Sequence, residues 1–214
     1  MEIPVLILGE SGCGKSTSLR NMTPDECVVI QPISKRLPFR NDFTVMSKEG
    51  GQIKVTDNPD MICRLIVAAA KAGKKAVIID DFQYVMANEF MRRSKEKSYD
   101  KFNDIGFNAW SIINQAQSVD GDMRVYFMSH VEVDMNGKTK IKTIGKMLDE
   151  KITIEGMFTI VLGAGVSDNK YTFSTQNNGS NTVKSPMGMF EEMNIDNDLS
   201  SVDKTIIEYY NLEN

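Results

Sequence analysis

The stretch Gly9-Glu10-Ser11-Gly12-Cys13-Gly14-Lys15-Ser16-Thr17 gathers glycine, hydroxyl and ammonium groups directly after the apolar run Ile3 to Leu8. It satisfies the spacing G-x-x-x-x-G-K-[ST] from Gly9 to Ser16, between a predicted strand and a predicted helix, the context that gives this pattern its meaning. Glycines let successive backbone N–H groups curl around phosphate oxygens, Lys15 adds a point charge at the β and γ groups, and Ser16 can ligate magnesium. Thr17 is placed to touch the α-phosphate. The chemistry expected is the holding of a nucleoside triphosphate.

A magnesium ion bridging the phosphates needs an oxygen partner on its far side, and a carboxylate at the end of a buried strand supplies one. Ala76 to Ile79 followed by Asp80-Asp81 fits that need, with Asp80 on the metal side and Asp81 a candidate base for an attacking water. Neighbouring side chains on a strand point to opposite faces, which weighs against Asp81. His130, the one histidine, follows the apolar strand Arg124 to Met128 and Ser129. There a polar residue can sense a γ-phosphate, although an isolated histidine commonly has a structural role.

The elements that must position these groups alternate between strand and helix. Ile3 to Gly9, Cys27 to Ile30, Ala76 to Ile79 and Arg124 to Met128 read as buried strands, and Lys15 to Met22 as the first helix. Asn58-Pro59 marks a helix start and Gly73 its stop. Phe82 to Lys97 and Ile105 to Val119 read as helices separated near Ser98, and Asn136-Gly137 signals a two-residue hairpin. Met157 to Leu162 and Lys170 to Thr175 add strands, and an acidic helix is expected from about 196 to 212. This order predicts one α/β domain over residues 1–214, with a mostly parallel central sheet and a β-rich C-terminal part.

Composition agrees with a single globular domain: 214 residues, 41% hydrophobic and 25% charged. The N-terminal apolar run is too short for a membrane span, so a cytoplasmic protein without a membrane partner is expected. Cys13, Cys27 and Cys63 show neither disulfide-framework nor zinc spacing. The formal charge is -4, yet Glu191 to Asn214 holds seven acids against Lys204, which leaves the rest of the chain mildly basic. A polyanion is therefore an allowed partner.

Together GESGCGKST, VIIDDF, VYFMSH, KTKIKTIGKM and TVKSPMGMF resemble the core-only RecA-like ATPases of bacteriophages, which are linked to single-strand annealing and recombination. The resemblance runs from Ile3 to about Tyr210. It implies a RecA-like three-layer P-loop fold with the Ser129-His130 strand between the P-loop strand and the Asp80 strand. It implies ATP and Mg2+ as cofactors, hydrolysis, and a homo-oligomer with nucleotide at the subunit boundary, in which Lys184 reaches a neighbour's γ-phosphate. It also implies the cytoplasm of an infected bacterium, and a single-strand-binding or recombination protein as a further partner. One departure is Gln31, which ends the strand where these enzymes usually carry glutamate. Glutamine can orient water but cannot accept its proton, so slow hydrolysis or reliance on Asp81 is expected.

Two basic stretches follow core strands, where RecA-like proteins place DNA-binding loops. The first holds Arg92, Arg93, Lys95, Lys97 and Lys101, offset only by Glu96 and Asp100, with Tyr99 or Phe102 as base-stacking candidates; the second holds Lys138, Lys140, Lys142 and Lys146. Solvated surface charge is the alternative reading. The function expected is a Mg-dependent ATPase coupling nucleotide state to single-stranded DNA. The alternatives are a P-loop kinase for a small molecule or nucleotide, and an ATP-switched binding module with little turnover.

Overall fold

In this computed structural model, residues 3–119, 121–145, 148 and 151–212 are described. Strands β1 (Ile3–Leu8), β2 (Cys27–Gln31), β3 (Ile53–Val55), β4 (Ala76–Ile79) and β5 (Arg124–Ser129) form the first half of the sheet. A small antiparallel pair, β6 (Val131–Val133) and β7 (Thr139–Ile141), stands apart from it. The main sheet is completed by β8 (Ile160–Ser167), β9 (Lys170–Ser174) and β10 (Asn194–Asp196). Its order is β10-β9-β8-β1-β5-β4-β2-β3. The strands from β8 to β3 pair in parallel, while β9 and β10 extend the sheet antiparallel. The expected mixed α/β fold is present, and β5 lies between β1 and β4 as the resemblance implies.

Period-two alternation explains why the sheet is covered on both faces. Leu6 and Leu8 of β1 join Val77, Ile79, Val125 and Phe127 on one face, while Val5 and Ile7 join Ile78, Tyr126 and Met128 on the other. Helices α1 (Pro59–Lys71), α2 (Gln83–Arg92) and α3 (Asp100–Gln117) cover the first face with Ile62, Ile66, Val85, Ile105, Ile112 and Ile113. Leu19, Leu37, Phe43 and the stripe Leu199, Val202, Ile206 of α4 (Leu199–Tyr210) cover the second. Such continuous burial is what a parallel sheet requires.

Local chemistry sets the element ends. Asn58 accepts a hydrogen bond from the Met61 N–H at 2.9 Å, with Pro59 behind it, a cap worth about 1 kcal/mol. Gly73 takes φ +68 just beyond α1. Helix α4 begins at Leu199, later than expected, because Asp196 belongs to β10 and Asp198 caps the helix through the Ser200 N–H at 3.0 Å. A buried ion pair docks α4 on the sheet: Arg124 Nε and Nη2 donate to Asp203 at 2.8 and 2.5 Å, and the Tyr126 hydroxyl also donates to Asp203.

The helix expected after the P-loop is present as a 3-10 helix, Ser16–Asn21. The Ser18 hydroxyl donates to the Lys15 carbonyl at 2.6 Å, and Pro24 leaves no room for further turns. Two expectations differ from the structure. Helix α2 stops at Arg92, with Arg93 as its cap. The hairpin loop is longer than two residues: the Asp134 carboxylate accepts the N–H groups of Asn136 and Lys138, and Gly137 takes φ +77.

Candidate functional site

Gly9, Gln31, Asp80 and His130 all lie at the carboxyl ends of neighbouring parallel strands, the edge where open α/β sheets bind ligands. The P-loop leaves β1 through Gly9, where a Cβ would stand 2.7 Å from the Ala164 carbonyl oxygen of β8 and 2.4 Å from Cys13 Sγ. Only glycine lets the two backbones approach so closely. Gly14 takes φ +91, and a side chain there would strike Tyr171 at 2.7 Å and Asn197 at 3.2 Å. Glycine spacing in the motif thus answers to packing beneath the loop.

Lys15 is buried, with Nζ donating to the carbonyls of Gly9 at 2.7 Å and Glu10 at 2.8 Å. Burial lowers its pKa from the usual 10.5, and the charges of Cys13, Asp81 and Asp80 oppose that shift. Ser16 Oγ donates to Asp80 Oδ1 at 2.8 Å, so the two groups proposed for the metal meet directly. Asp80 is fully buried at the end of β4. Asp81 then enters the left-handed region at φ 66, which no longer obeys strand alternation and turns its carboxylate toward the same cavity. Such a conformation in a non-glycine residue costs on the order of 1–3 kcal/mol and is held by its surroundings.

One functional group escaped sequence reasoning. Lys35, in the loop after β2, places Nζ 2.6 Å from Asp81 Oδ2, 3.3 Å from Asp80 Oδ2 and 3.3 Å from Ser16 Oγ. Burial would lower its pKa, but the two carboxylates outweigh that and raise it. Its ammonium thus lies between Ser16 and the two carboxylates. A usable signal was present: β2 lies beside β4, so a loop leaving β2 emerges next to Asp80.

His130 Nε2 lies 3.4 Å from Asp81 Oδ1, and its ring meets Tyr84 edge-on. Burial and the charge of Lys15 lower its pKa from the usual 6.5, against the pull of Asp81. Ser11, Gly12, Gly14, Lys15, Ser16, Thr17, Lys35, Asp81, His130 and Tyr171 surround a cavity of about 530 Å³. Gln31 is buried and lines a separate cavity. Glu10 lines a smaller cleft beside β8, and Cys13 is buried against Lys15 Nζ at 3.8 Å. Lys184 is exposed, its backbone bonded both ways to Val161 of β8, away from the P-loop cavity.

The residues fit a magnesium nucleotide. A hydroxyl and a buried carboxylate already converge, a cation of this chain stands between the two aspartates, and glycine conformations open the loop. Among the described residues there is no cluster of three or more His, Cys, Asp or Glu suited to a metal, so phosphate oxygens would have to complete the ligand set.

The basic stretches differ in their freedom. Arg92 pairs with Asp57 at 2.5 Å, and Arg93 is held by Glu89, Glu96 and Asp104 at 3.1, 2.9 and 2.7 Å. Lys101 is buried over the rings of Phe90 and Phe102, while Tyr99 is 84% exposed. Lys95, Lys97, Lys138 and Lys142 are exposed, and Lys140 lies 3.4 Å from Glu132. Lys146 lies outside the described residues.

No protein-family profile matches the chain. Over 67 residues it is 40% identical to the DExH-box ATP-dependent RNA helicase DExH2 of Arabidopsis thaliana, a match covering 31% of this chain and 4% of the helicase. A second Arabidopsis thaliana helicase, DExH6, is 38% identical over 73 residues, 34% of this chain and 5% of that protein. The chain thus spans a small fraction of the curated relatives it matches. Among solved structures, a KaiC-like protein from Pyrococcus horikoshii aligns over 80% of this chain and 76% of its own, with 13% identity and a TM-score of 0.46. A DnaB-like replicative helicase aligns over 80% and 51%, with 16% identity and a TM-score of 0.48. Among the described residues, no helix is long and apolar enough to cross a membrane.

Proposed function

We propose that the protein is a Mg-dependent ATPase whose nucleotide state is coupled to single-stranded DNA in phage recombination or replication. The observation that carries this reading is the meeting of Lys15, Ser16 and Asp81 around one cavity, with Asp80 buried behind Ser16 and bonded to it, and Lys35 between the two carboxylates. Ser16 and Asp80 would hold the metal, which when bound would supply positive charge to the phosphate. Lys15 leaves the loop carbonyls to hold the phosphates. Lys35 leaves the carboxylates and follows the anion outward, because two cations repel at this distance.

Asp81, released by Lys35, takes the proton of a water that attacks the terminal phosphorus as the bond to the leaving diphosphate oxygen breaks. His130 fixes the orientation of that carboxylate through its ring nitrogen. Gln31, lacking a carboxylate, leaves proton transfer to Asp81 alone, which favours slow turnover and a switch-like use of ATP. Lys184 lies outside its own protomer's cavity, as a residue acting on a neighbouring subunit would.

The exposed lysines Lys138 and Lys142 on the β6–β7 hairpin are the groups proposed to track a DNA backbone, with Lys95, Lys97 and Tyr99 on the second loop. Arg92 and Arg93 already satisfy carboxylates and contribute less. The test is phosphate release from ATP with and without single-stranded DNA, with Lys15→Ala as the blank. DNA-stimulated release abolished in the variant supports the reading. Release equal in parent and variant, or transfer of phosphate to a nucleoside without DNA stimulation, contradicts it.

A further inference from the structure

A second cavity, of about 570 Å³, opens on the other side of Lys35, between the loop after β2 and the sheet edge at β3. That size lies within the range of small-molecule sites. At its floor is Gln31, 1% exposed, whose side-chain Nε2 has no hydrogen-bond partner. A buried amide donor without an acceptor is costly, so a ligand acceptor there would relieve it. At the rim stand Arg36 and Arg40, both exposed. Among the described residues neither makes a hydrogen bond or an ion pair, in contrast to Arg92 and Arg93. Phe39 and Val55, the latter 39% exposed, supply an apolar wall.

We propose that this cavity is a second binding site and that its ligand is a nucleotide unit, separate from the triphosphate held by the P-loop. Three features select that chemistry together. The two guanidinium groups at the rim suit a phosphate, the apolar wall suits a planar base, and the buried amide suits a base acceptor. An unsubstituted hydrocarbon would leave Gln31 and both arginines unmatched, and inorganic phosphate would leave the apolar wall bare. The unit is either a free mononucleotide or one residue of a single strand, since both present the same groups. Lys35 lines both cavities, so its departure from Asp80 and Asp81 changes the charge at the second site as well.

The test uses the whole chain with the P-loop saturated by a β,γ-imido ATP analogue and Mg2+. Thymidine 5′-monophosphate is titrated by calorimetry and fluorescein-labelled (dT)10 by anisotropy, with inorganic phosphate as the control. The Arg36→Ala, Arg40→Ala double variant is expected to lose at least about tenfold in affinity for the nucleotide probe, with unchanged affinity for the ATP analogue. Binding of the mononucleotide assigns the site to free nucleotide, and binding of the strand alone assigns it to nucleic acid. Equal affinities in variant and parent, no saturable binding of either probe, or phosphate binding as tightly as the nucleotides would each overturn the proposal. Repeating the titrations in Lys15→Ala without the analogue separates the two sites, because the second is expected to bind even where the P-loop does not.

Discussion

Replacing Lys35 by alanine removes an ammonium that contacts both site carboxylates. Its ammonium makes a charge-assisted contact of 2.6 Å to Asp81 and lies 3.3 Å from the fully buried Asp80. A fully buried contact of this kind is worth about 1.5–3 kcal/mol, and an exposed ion pair less than about 1 kcal/mol. The Lys35 side chain is 34% exposed, which places its loss between these limits, at about 1–2 kcal/mol without nucleotide. The vacated position then admits a divalent cation. For a dissociation constant on the order of 1 mM, 10 mM Mg2+ returns about 1.4 kcal/mol to the variant. Urea unfolding of parent and Lys35→Ala, each with and without 10 mM Mg2+, reads both quantities. The account expects a variant weaker without metal and largely restored with it, beside a parent that responds little. A loss of the same size with and without Mg2+, or no loss at all, would refute the idea that Lys35 stands in for the ion.

Three further outcomes follow from other contacts. The pKa of His130 is lowered on folding, so the unfolded chain binds its proton first and stability falls as pH drops through 6.5; in His130→Gln the decline between pH 7 and 5 should be shallower than in the parent, read by urea midpoints across that window. Asp203→Ala leaves the buried Arg124 guanidinium uncompensated and should cost about 3–5 kcal/mol, whereas a denaturation midpoint within error of the parent would show α4 docking without the pair. Gly9→Ala forces a Cβ within 2.7 Å of the Ala164 carbonyl and should destabilise by about 1–3 kcal/mol, with an unshifted melting curve as the contrary result.

Groups fixed by short-range pattern were legible in the sequence. The P-loop spacing, the apolar strand leading to Asp80, and the Asn58-Pro59 helix start each carry their cause within a few residues. Groups set by long-range pairing were not. Lys35 reaches Asp80 and Asp81 across the sheet, and its role follows only from the adjacency of β2 and β4. Strands β3 and β10 span three residues each and are too short to show alternation. Asp81 joins the site through a left-handed turn that strand periodicity does not reveal. Arg92 and Arg93 read as free charge in the sequence, yet Asp57 and Asp104 come from other elements to neutralise them. Glu89 and Glu96, at helical spacing from Arg93, were the part of that pairing open to reading.

Lys15, Ser16 and Asp80 are the residues proposed to hold a magnesium triphosphate. Equilibrium binding of a fluorescent ATP analogue, titrated over Mg2+ for parent, Lys15→Ala and Asp80→Asn proteins whose melting curves confirm folding, tests that assignment most directly. The account predicts at least about a tenfold loss of affinity in Lys15→Ala and a flattened Mg2+ dependence in Asp80→Asn. Matching affinities and matching Mg2+ curves in all three proteins would contradict it.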